Sequence, residues 1–302
     1  MDYAINSLKR ELEKIDRLEL RYNEPMSSHT SFRVGGPADV FAIANSPQAL
    51  VELYNLTLEN DVKLLLIGNG TNLLFSDEGF RGVVVKLGGE FSWIDFDGER
   101  VSCGAAFPLS RLARETAEKE LGGLEFAFGI PGTVGGGIKM NAGAHSGQIS
   151  DVIEEVEVIT FDGELKRVSG DEIGFGYRES GLGQFLCAVG ATFKLRRSDR
   201  WELRRRIDAF WAERRMKQPL GALSAGCVFK NPPNISAGAL IEGCGLKGLR
   251  IGGAMVSMVH ANFIINLGTA TASDIIELIR RVKNEVSERS GIELQLEIEY
   301  VE

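Results

Sequence analysis

Apolar residues recur along this chain at two periods, and their interleaving predicts alternating helices and strands. Ile5, Leu8, Leu12 and Ile15 fall at helical spacing, so residues 4–17 are expected to form an amphipathic helix. Ser46 followed by Pro47 predicts a capped helix start, with the helix running to about residue 60. Apolar runs predict strands at 63–67, 82–87 and 92–96, and Pro108 opens another helix to about residue 120. Valines and glutamates alternate over 152–160 as in a half-exposed strand, and 185–195 reads as a further strand. Leu203, Ile207, Phe210 and Trp211 give the segment 194–217 an apolar helical face. Ser273 is the expected cap of a last helix that stops before Gly291, and residues 293–301 are expected to close the chain as a strand. Interleaving of this kind implies an α/β or α+β fold.

With 302 residues, 44% of them hydrophobic and 25% charged, the chain can bury a sizeable core in two or three domains. Its net charge of −8 counts against a general nucleic-acid binder. The rival nucleic-acid-binding reading would use 194–217, where ten Lys/Arg stand against four Asp/Glu, but that segment lacks interleaved stacking aromatics. Two other readings of the segment stay open: a solvated helix linking two domains, or a helix whose end, Arg214-Arg-Met-Lys-Gln-Pro219, offers cations to an anionic substrate. Charges from the second residue onward argue against a secretory leader, and a cytoplasmic location is expected. The uncharged stretch 251–273 is long enough for a membrane span, but it carries His260, Asn262 and Asn266 and reads as buried strand and turn. The four cysteines form no CxxC pair and are expected to be free thiols. The three histidines lie far apart, and no metal site is proposed.

Candidate chemistry begins with two glycine loops. Gly129-Ile-Pro-Gly-Thr-Val-Gly-Gly-Gly-Ile-Lys-Met-Asn-Ala-Gly143 holds six glycines in fifteen residues, a composition expected of neither helix nor strand. Ile67-Gly-Asn-Gly-Thr-Asn-Leu-Leu74 follows a short apolar strand. Backbone without side chains can bring N–H groups to phosphate oxygens. Neither loop is a Rossmann fingerprint or a P-loop: the first motif's third glycine is missing, and Ile138 stands where a P-loop needs lysine. Together they suggest one extended dinucleotide held outside a Rossmann frame.

Three further segments stand out. Tyr177-Arg-Glu-Ser180 lies between glycines, Gly226-Cys-Val-Phe-Lys-Asn-Pro232 places a thiol beside Lys230 and Asn231, and the C-terminal segment holds Glu293, Glu297 and Glu299. Taken with Thr30-Ser-Phe-Arg-Val-Gly-Gly36, the two glycine loops and His260-Ala-Asn-Phe-Ile264, they run in one order over nearly the whole chain. In that order the chain resembles the UDP-N-acetylenolpyruvoylglucosamine reductase (MurB) family, in its compact type II form.

The resemblance implies an α+β fold. After an N-terminal lead-in (1–30) would come a two-lobed FAD-binding domain of the p-cresol methylhydroxylase kind (31–197, lobes about 31–88 and 89–197). A smaller substrate domain (198–302) would follow, its last strand returning to the first lobe. It implies non-covalent FAD against Ile67, Gly68, Asn69, Gly70, Thr71 and Asn72, against Ile130, Pro131, Gly132, Thr133, Gly136, Asn141, Ala142 and Gly143, and at Val189. NADPH would be the co-substrate and UDP-N-acetylenolpyruvoylglucosamine the substrate, with no nucleic-acid or membrane partner and a monomer or weak oligomer. Arg178 would steady the developing anion, Glu297 would assist, and Cys227, where the family usually has serine, would give the proton. The family's Leu-Glu-x-Glu is Leu294-Gln-Leu-Glu297 in this chain. Tyr177, Arg214, Lys217, Lys230 and Asn231 would hold the substrate's diphosphate and carboxylate. The glycine loops alone also suit another flavin oxidoreductase acting on a hydroxy acid or alcohol.

Overall fold

The computed structural model describes residues 8–302. Of the helix expected over 4–17, residues 1–7 lie outside the described residues, 8–12 are helical and 13–17 form a turn. Lys14 and Ile15 donate to the Glu11 and Leu12 carbonyls, the i→i+3 tightening that ends a helix, and Arg17 follows at φ 58°. Leu8, Leu12 and Ile15 are nevertheless buried, so their spacing reports burial more than helix length.

Two compact units divide the chain, and each is discontinuous. The first comprises Met1–Arg21, Val40–Asn69 and Gly82–Glu213. Its helix Pro47–Glu59 starts as expected: Ser46 accepts the Ala49 N–H at 3.2 Å, and Ala49, Leu50 and Leu53 are buried. The strand Leu64–Ile67 pairs in parallel with Phe80–Leu87, which sets Ile67 opposite Lys86. These two belong to a four-stranded sheet ordered Leu18–Pro25, Pro37–Ala44, Phe80–Leu87, Leu64–Ile67, of which the first two strands were not anticipated. Leu18–Pro25 is mostly solvated, so its hydrophobic signal is weak.

A five-stranded antiparallel sheet completes this unit, ordered Leu165–Ser169, Ile153–Ile159, Cys187–Lys194, Arg100–Gly104, Ile94–Asp97. Val101, Cys103, Val156, Val158 and Phe193 carry its buried face. Fully burying a side chain the size of Phe193 contributes about 1.5–3 kcal/mol. The helix Leu109–Glu118 follows Pro108, and Arg200–Lys217 buries only Leu203 and Ile207, with Trp211 edge-on to Phe128 at 5.8 Å.

One expectation fails here. The glycine run contains a short helix, Val134–Lys139, whose Thr133 hydroxyl accepts the Gly136 N–H. The glycines serve close packing as much as turning. A Cβ at Gly135 would stand 3.1 Å from Ala105 Cβ, and one at Gly137 would stand 3.0 Å from Leu109 Cδ2. Contact with the strand end and the helix Leu109–Glu118 outweighs the propensity cost of glycine.

Tyr22–Asp39, Gly70–Arg81 and Arg214–Glu302 form the second unit. The helix Ala272–Ser290 buries Ile275, Leu278, Ile279, Val282 and Val286 beside an antiparallel sheet of Arg250–Ile251, Ala254–Val256 and Ile264–Asn266. Its cap is Thr271, in a capping box with Asp274, rather than Ser273. Ser273 lies in the first turn and donates to Asp77, which also accepts the Ala272 and Ser273 N–H groups. Burial works to raise the Asp77 carboxyl, but these hydrogen bonds outweigh it and hold the group below its ordinary range. The helix ends at Gly291 in the left-handed conformation, as expected.

The closing strand is shorter than 293–301: only Glu299–Val301 is strand, parallel to Leu73–Phe75. Upstream, Lys230 donates to the Gln295 carbonyl, and Glu297 donates to the Val228 carbonyl. These bonds engage the upstream backbone with the segment 228–230, so Glu297 lies in a bend and not on the last strand. Helices beside mainly antiparallel sheets make the fold α+β, as expected. Among the described residues, no helix is long and apolar enough to cross a membrane.

Candidate functional site

In the first unit the two glycine loops meet. A Cβ at Gly68 would lie 2.8 Å from Thr133 Oγ1, so the turn after Leu64–Ile67 is pressed against the start of the glycine-run helix. A cavity of about 250 Å³ opens there. Ile67, Gly68, Thr133 and Gly136 line it, all expected from sequence. So do Leu66, Lys86, Ala105, Lys139 and the stretch Phe185–Ala188, which sequence reasoning missed. The lining is chiefly apolar with two lysines, a combination suited to a nucleotide's flat faces and anionic groups. Burial pushes the Lys86 ammonium below its ordinary value. Lys86 ends the run Val83-Val-Val85, and only its register beside Ile67 reveals its place.

Other expected residues of the first unit have protein partners. Gly132 gives its carbonyl to the Leu109 N–H, and Val189 is buried with its carbonyl on the Ala105 N–H; its neighbour Ala188 lines the cavity. Ile130 packs against the core, and Ala142 is buried. Asn69 ends the first unit, and the loop continues as Gly70, Thr71 and Asn72 in the second. Gly70 is required by the chain itself: at φ 62°, a Cβ there would meet the His29 carbonyl oxygen at 2.0 Å.

Arg178 sits at the tip of a short hairpin pairing Phe175–Gly176 with Glu179–Ser180. It takes φ 60°, uncommon for a side chain of this size. Its Nη1 donates to the Gly143 carbonyl at 2.9 Å, and its Nε is buried without a hydrogen bond of its own. The guanidinium lies 5.6 Å from the Tyr177 ring centroid, and Tyr177 itself is 51% exposed. His145 stacks on Phe210 at 4.1 Å and pairs with Glu213 at 3.3 Å, a packing role.

The second unit brings Cys227 and Glu297 onto adjoining backbone. Val228, next to Cys227, donates to the Asn262 carbonyl and accepts from the Glu297 N–H. The buried Asn262 side chain bonds both polar groups of Phe229, which explains the motif His260-Ala-Asn-Phe-Ile264 as a clamp on the thiol segment. Asn72 Nδ2 holds the Glu297 carbonyl at 3.0 Å. Arg214 has a buried Nε with no hydrogen bond. Burial lowers its affinity for the proton, and the nearby Cys227 charge works the other way. Asn231 Oδ1 accepts the Ala237 N–H, so part of that side chain serves a helix start. Lys217 is exposed at the end of its helix, and Lys230 is half-buried. All four cysteines are free thiols; Cys103, Cys187 and Cys244 are buried, and burial pushes Cys187 up to about 12. No group of side chains suited to a metal ion occurs among the described residues.

Comparison with known proteins adds the following. Residues 38–169 match the family described as an FAD binding domain, and residues 218–301 match the C-terminal domain of UDP-N-acetylenolpyruvoylglucosamine reductase. The chain is 45% identical over 280 residues to UDP-N-acetylenolpyruvoylglucosamine reductase 2 of Symbiobacterium thermophilum, covering 92% of this chain and 91% of that one. It is 38% identical to the Bacillus subtilis reductase over 304 residues, covering 100% and 99%. The crystal structure of the Thermus caldophilus reductase superposes with a TM-score of 0.82 at 40% identity, covering 95% of this chain and 99% of that one.

Proposed function

We propose, from the premise that this chain belongs to the UDP-N-acetylenolpyruvoylglucosamine reductase family, that it reduces UDP-N-acetylenolpyruvoylglucosamine to UDP-N-acetylmuramate for peptidoglycan synthesis. FAD is its cofactor and NADPH its reductant. The observation that carries this reading is the end-to-end likeness to such reductases joined to a largely apolar, lysine-edged cavity where the two glycine loops meet.

The residues present fit the cofactor. The cavity suits a nucleotide portion, the loops 67–72 and 130–143 offer backbone to its pyrophosphate, and Lys86 can balance its charge. Once bound, FAD would supply the hydride chemistry that links NADPH to C3 of the enolpyruvyl group. The chain's own groups do the rest. Arg178 holds the substrate carboxylate and steadies the enolate charge that spreads onto it. Cys227 Sγ gives the proton to C2, completing addition of H⁻ and H⁺ across the double bond. Glu297 assists from the adjoining segment. Tyr177, Arg214, Lys217, Lys230 and Asn231 bind the diphosphate and the remaining polar groups. The substrate is a nucleotide sugar of the cytoplasm, where the reading places the protein. The chain is read as a monomer or weak oligomer.

An anaerobic experiment tests the reading. NADPH is expected to bleach the bound flavin, and the enolpyruvyl sugar nucleotide to restore its colour with formation of UDP-N-acetylmuramate. Bleaching of the oxidised flavin by hydroxy acids or alcohols, with no restoration of the reduced flavin's colour by the sugar nucleotide, would favour another flavin oxidoreductase. A second expectation concerns Lys86. Lys86→Met should weaken flavin retention about tenfold, roughly 1.4 kcal/mol, while Lys86→Arg keeps it. Equal dissociation constants by fluorescence titration of the apoprotein would remove Lys86 from the cofactor site.

A further inference from the structure

The hairpin that carries Arg178 does not hold its own shape. Its strands are two residues each, far short of self-supporting, and its two-residue turn is Tyr177-Arg178. Such turns favour Asn-Gly because they need left-handed backbone, yet Arg178 takes φ 60°. Something outside the hairpin imposes this conformation.

Three hydrogen bonds tie the hairpin to one stretch of the glycine run. Ser180 Oγ donates to the Lys139 carbonyl at 3.1 Å, Arg178 Nη1 to the Gly143 carbonyl at 2.9 Å, and Asn141 Nδ2 to the Gly176 carbonyl at 3.0 Å. The first two ties reach from the hairpin and move with it. The third comes from the loop, and Asn141 is anchored elsewhere. It is 3% exposed, its Nδ2 also donates to Gln148 Oε1 at 3.3 Å, and its Oδ1 accepts the Ser150 N–H at 3.0 Å. Both amide protons and the amide oxygen are thereby engaged. Asparagine alone among side chains of this size offers two donors and an acceptor together, and this residue also sits at φ 40°, which asparagine tolerates.

The geometry points to Asn141 as the positioning residue for Arg178: its amide fixes the Gly176 carbonyl, and with it the turn that aims the guanidinium. The inference rests on the reading that Arg178 meets the substrate's developing anion. Asn141 itself touches no reacting atom.

Four holoenzymes test it: Asn141→Asp, Asn141→Ala, Arg178→Ala and the double variant Asn141→Ala/Arg178→Ala. Asn141→Asp keeps the size and the acceptor for the Ser150 N–H while losing both donors, so it carries the test if Asn141→Ala does not fold; its double variant with Arg178→Ala then replaces the alanine pair. Each Asn141 variant is expected to retain flavin and its reduction by NADPH, to slow flavin reoxidation by the enolpyruvyl sugar nucleotide about 10²-fold, and to weaken calorimetric binding of UDP-N-acetylmuramate about tenfold. The double variant should be no worse than Arg178→Ala alone, because the amide acts only through the guanidinium. Additive losses, or flavin loss in step with the slowing, would overturn the positioning role. If Arg178→Ala itself reoxidises and binds product like wild type, the underlying reading of Arg178 fails, whatever the Asn141 variants do.

Discussion

Arg178→Lys is expected to slow reduction of the enolpyruvyl sugar nucleotide by about 10²–10³-fold, some 3–4 kcal/mol, while the protein still purifies with flavin. In the proposed reading the guanidinium has two tasks. One nitrogen donates to the Gly143 carbonyl, and the planar guanidinium has the shape that matches a carboxylate. A lysine ammonium on a flexible stem can take either task but does not reproduce a fixed fork. The left-handed backbone at this position costs about 1–3 kcal/mol, a strain that the surrounding bonds sustain. Stopped-flow absorbance separates the two half-reactions. Reduction by NADPH should proceed normally, and reoxidation by the sugar nucleotide should be slow. A colourless preparation would instead make Arg178 a structural residue, and unchanged reoxidation would remove it from the chemistry.

Cys227→Ala should lose about 10²–10⁴-fold in turnover, the scale of a missing general acid, with flavin reduction intact. Cys227→Ser should keep substantial activity. Either atom should serve, because the backbone beside it is held independently of the side chain: Val228 is bonded at both its N–H and its C=O, and Asn262 clamps Phe229. Turnover of Cys227→Ala at the wild-type rate would exclude the thiol. Deuterium at C2 of the product, from reactions in D₂O, tracks the same step directly.

How much of this was legible beforehand depends on how far each signal reaches along the chain. Helix starts were legible where one residue caps another three positions on, as Ser46 caps Ala49. Misassignment of the last helix cap followed from two hydroxyls standing close together. Thr271 bonds Asp274, while Ser273 is drawn to Asp77, nearly two hundred residues earlier. The closing strand was overlong for a similar reason, because alternation over 293–301 cannot show that 295–297 is bonded to 228–230. The glycine run was read as ligand-facing loop, yet part of it is helix whose glycines admit Ala105 and Leu109.

The chain order of motifs determined the family, the α+β class and the kind of chemistry, since these depend on residue identity and on spacing within a few positions. Only the tertiary structure decided which strand residue faces which. That decision set Lys86 beside Ile67, Glu297 beside the thiol segment, and the Asn141 amide on the Gly176 carbonyl. Strand register and buried hydrogen bonds join residues distant in sequence, and a single chain read in order carries no mark of which partner each will meet.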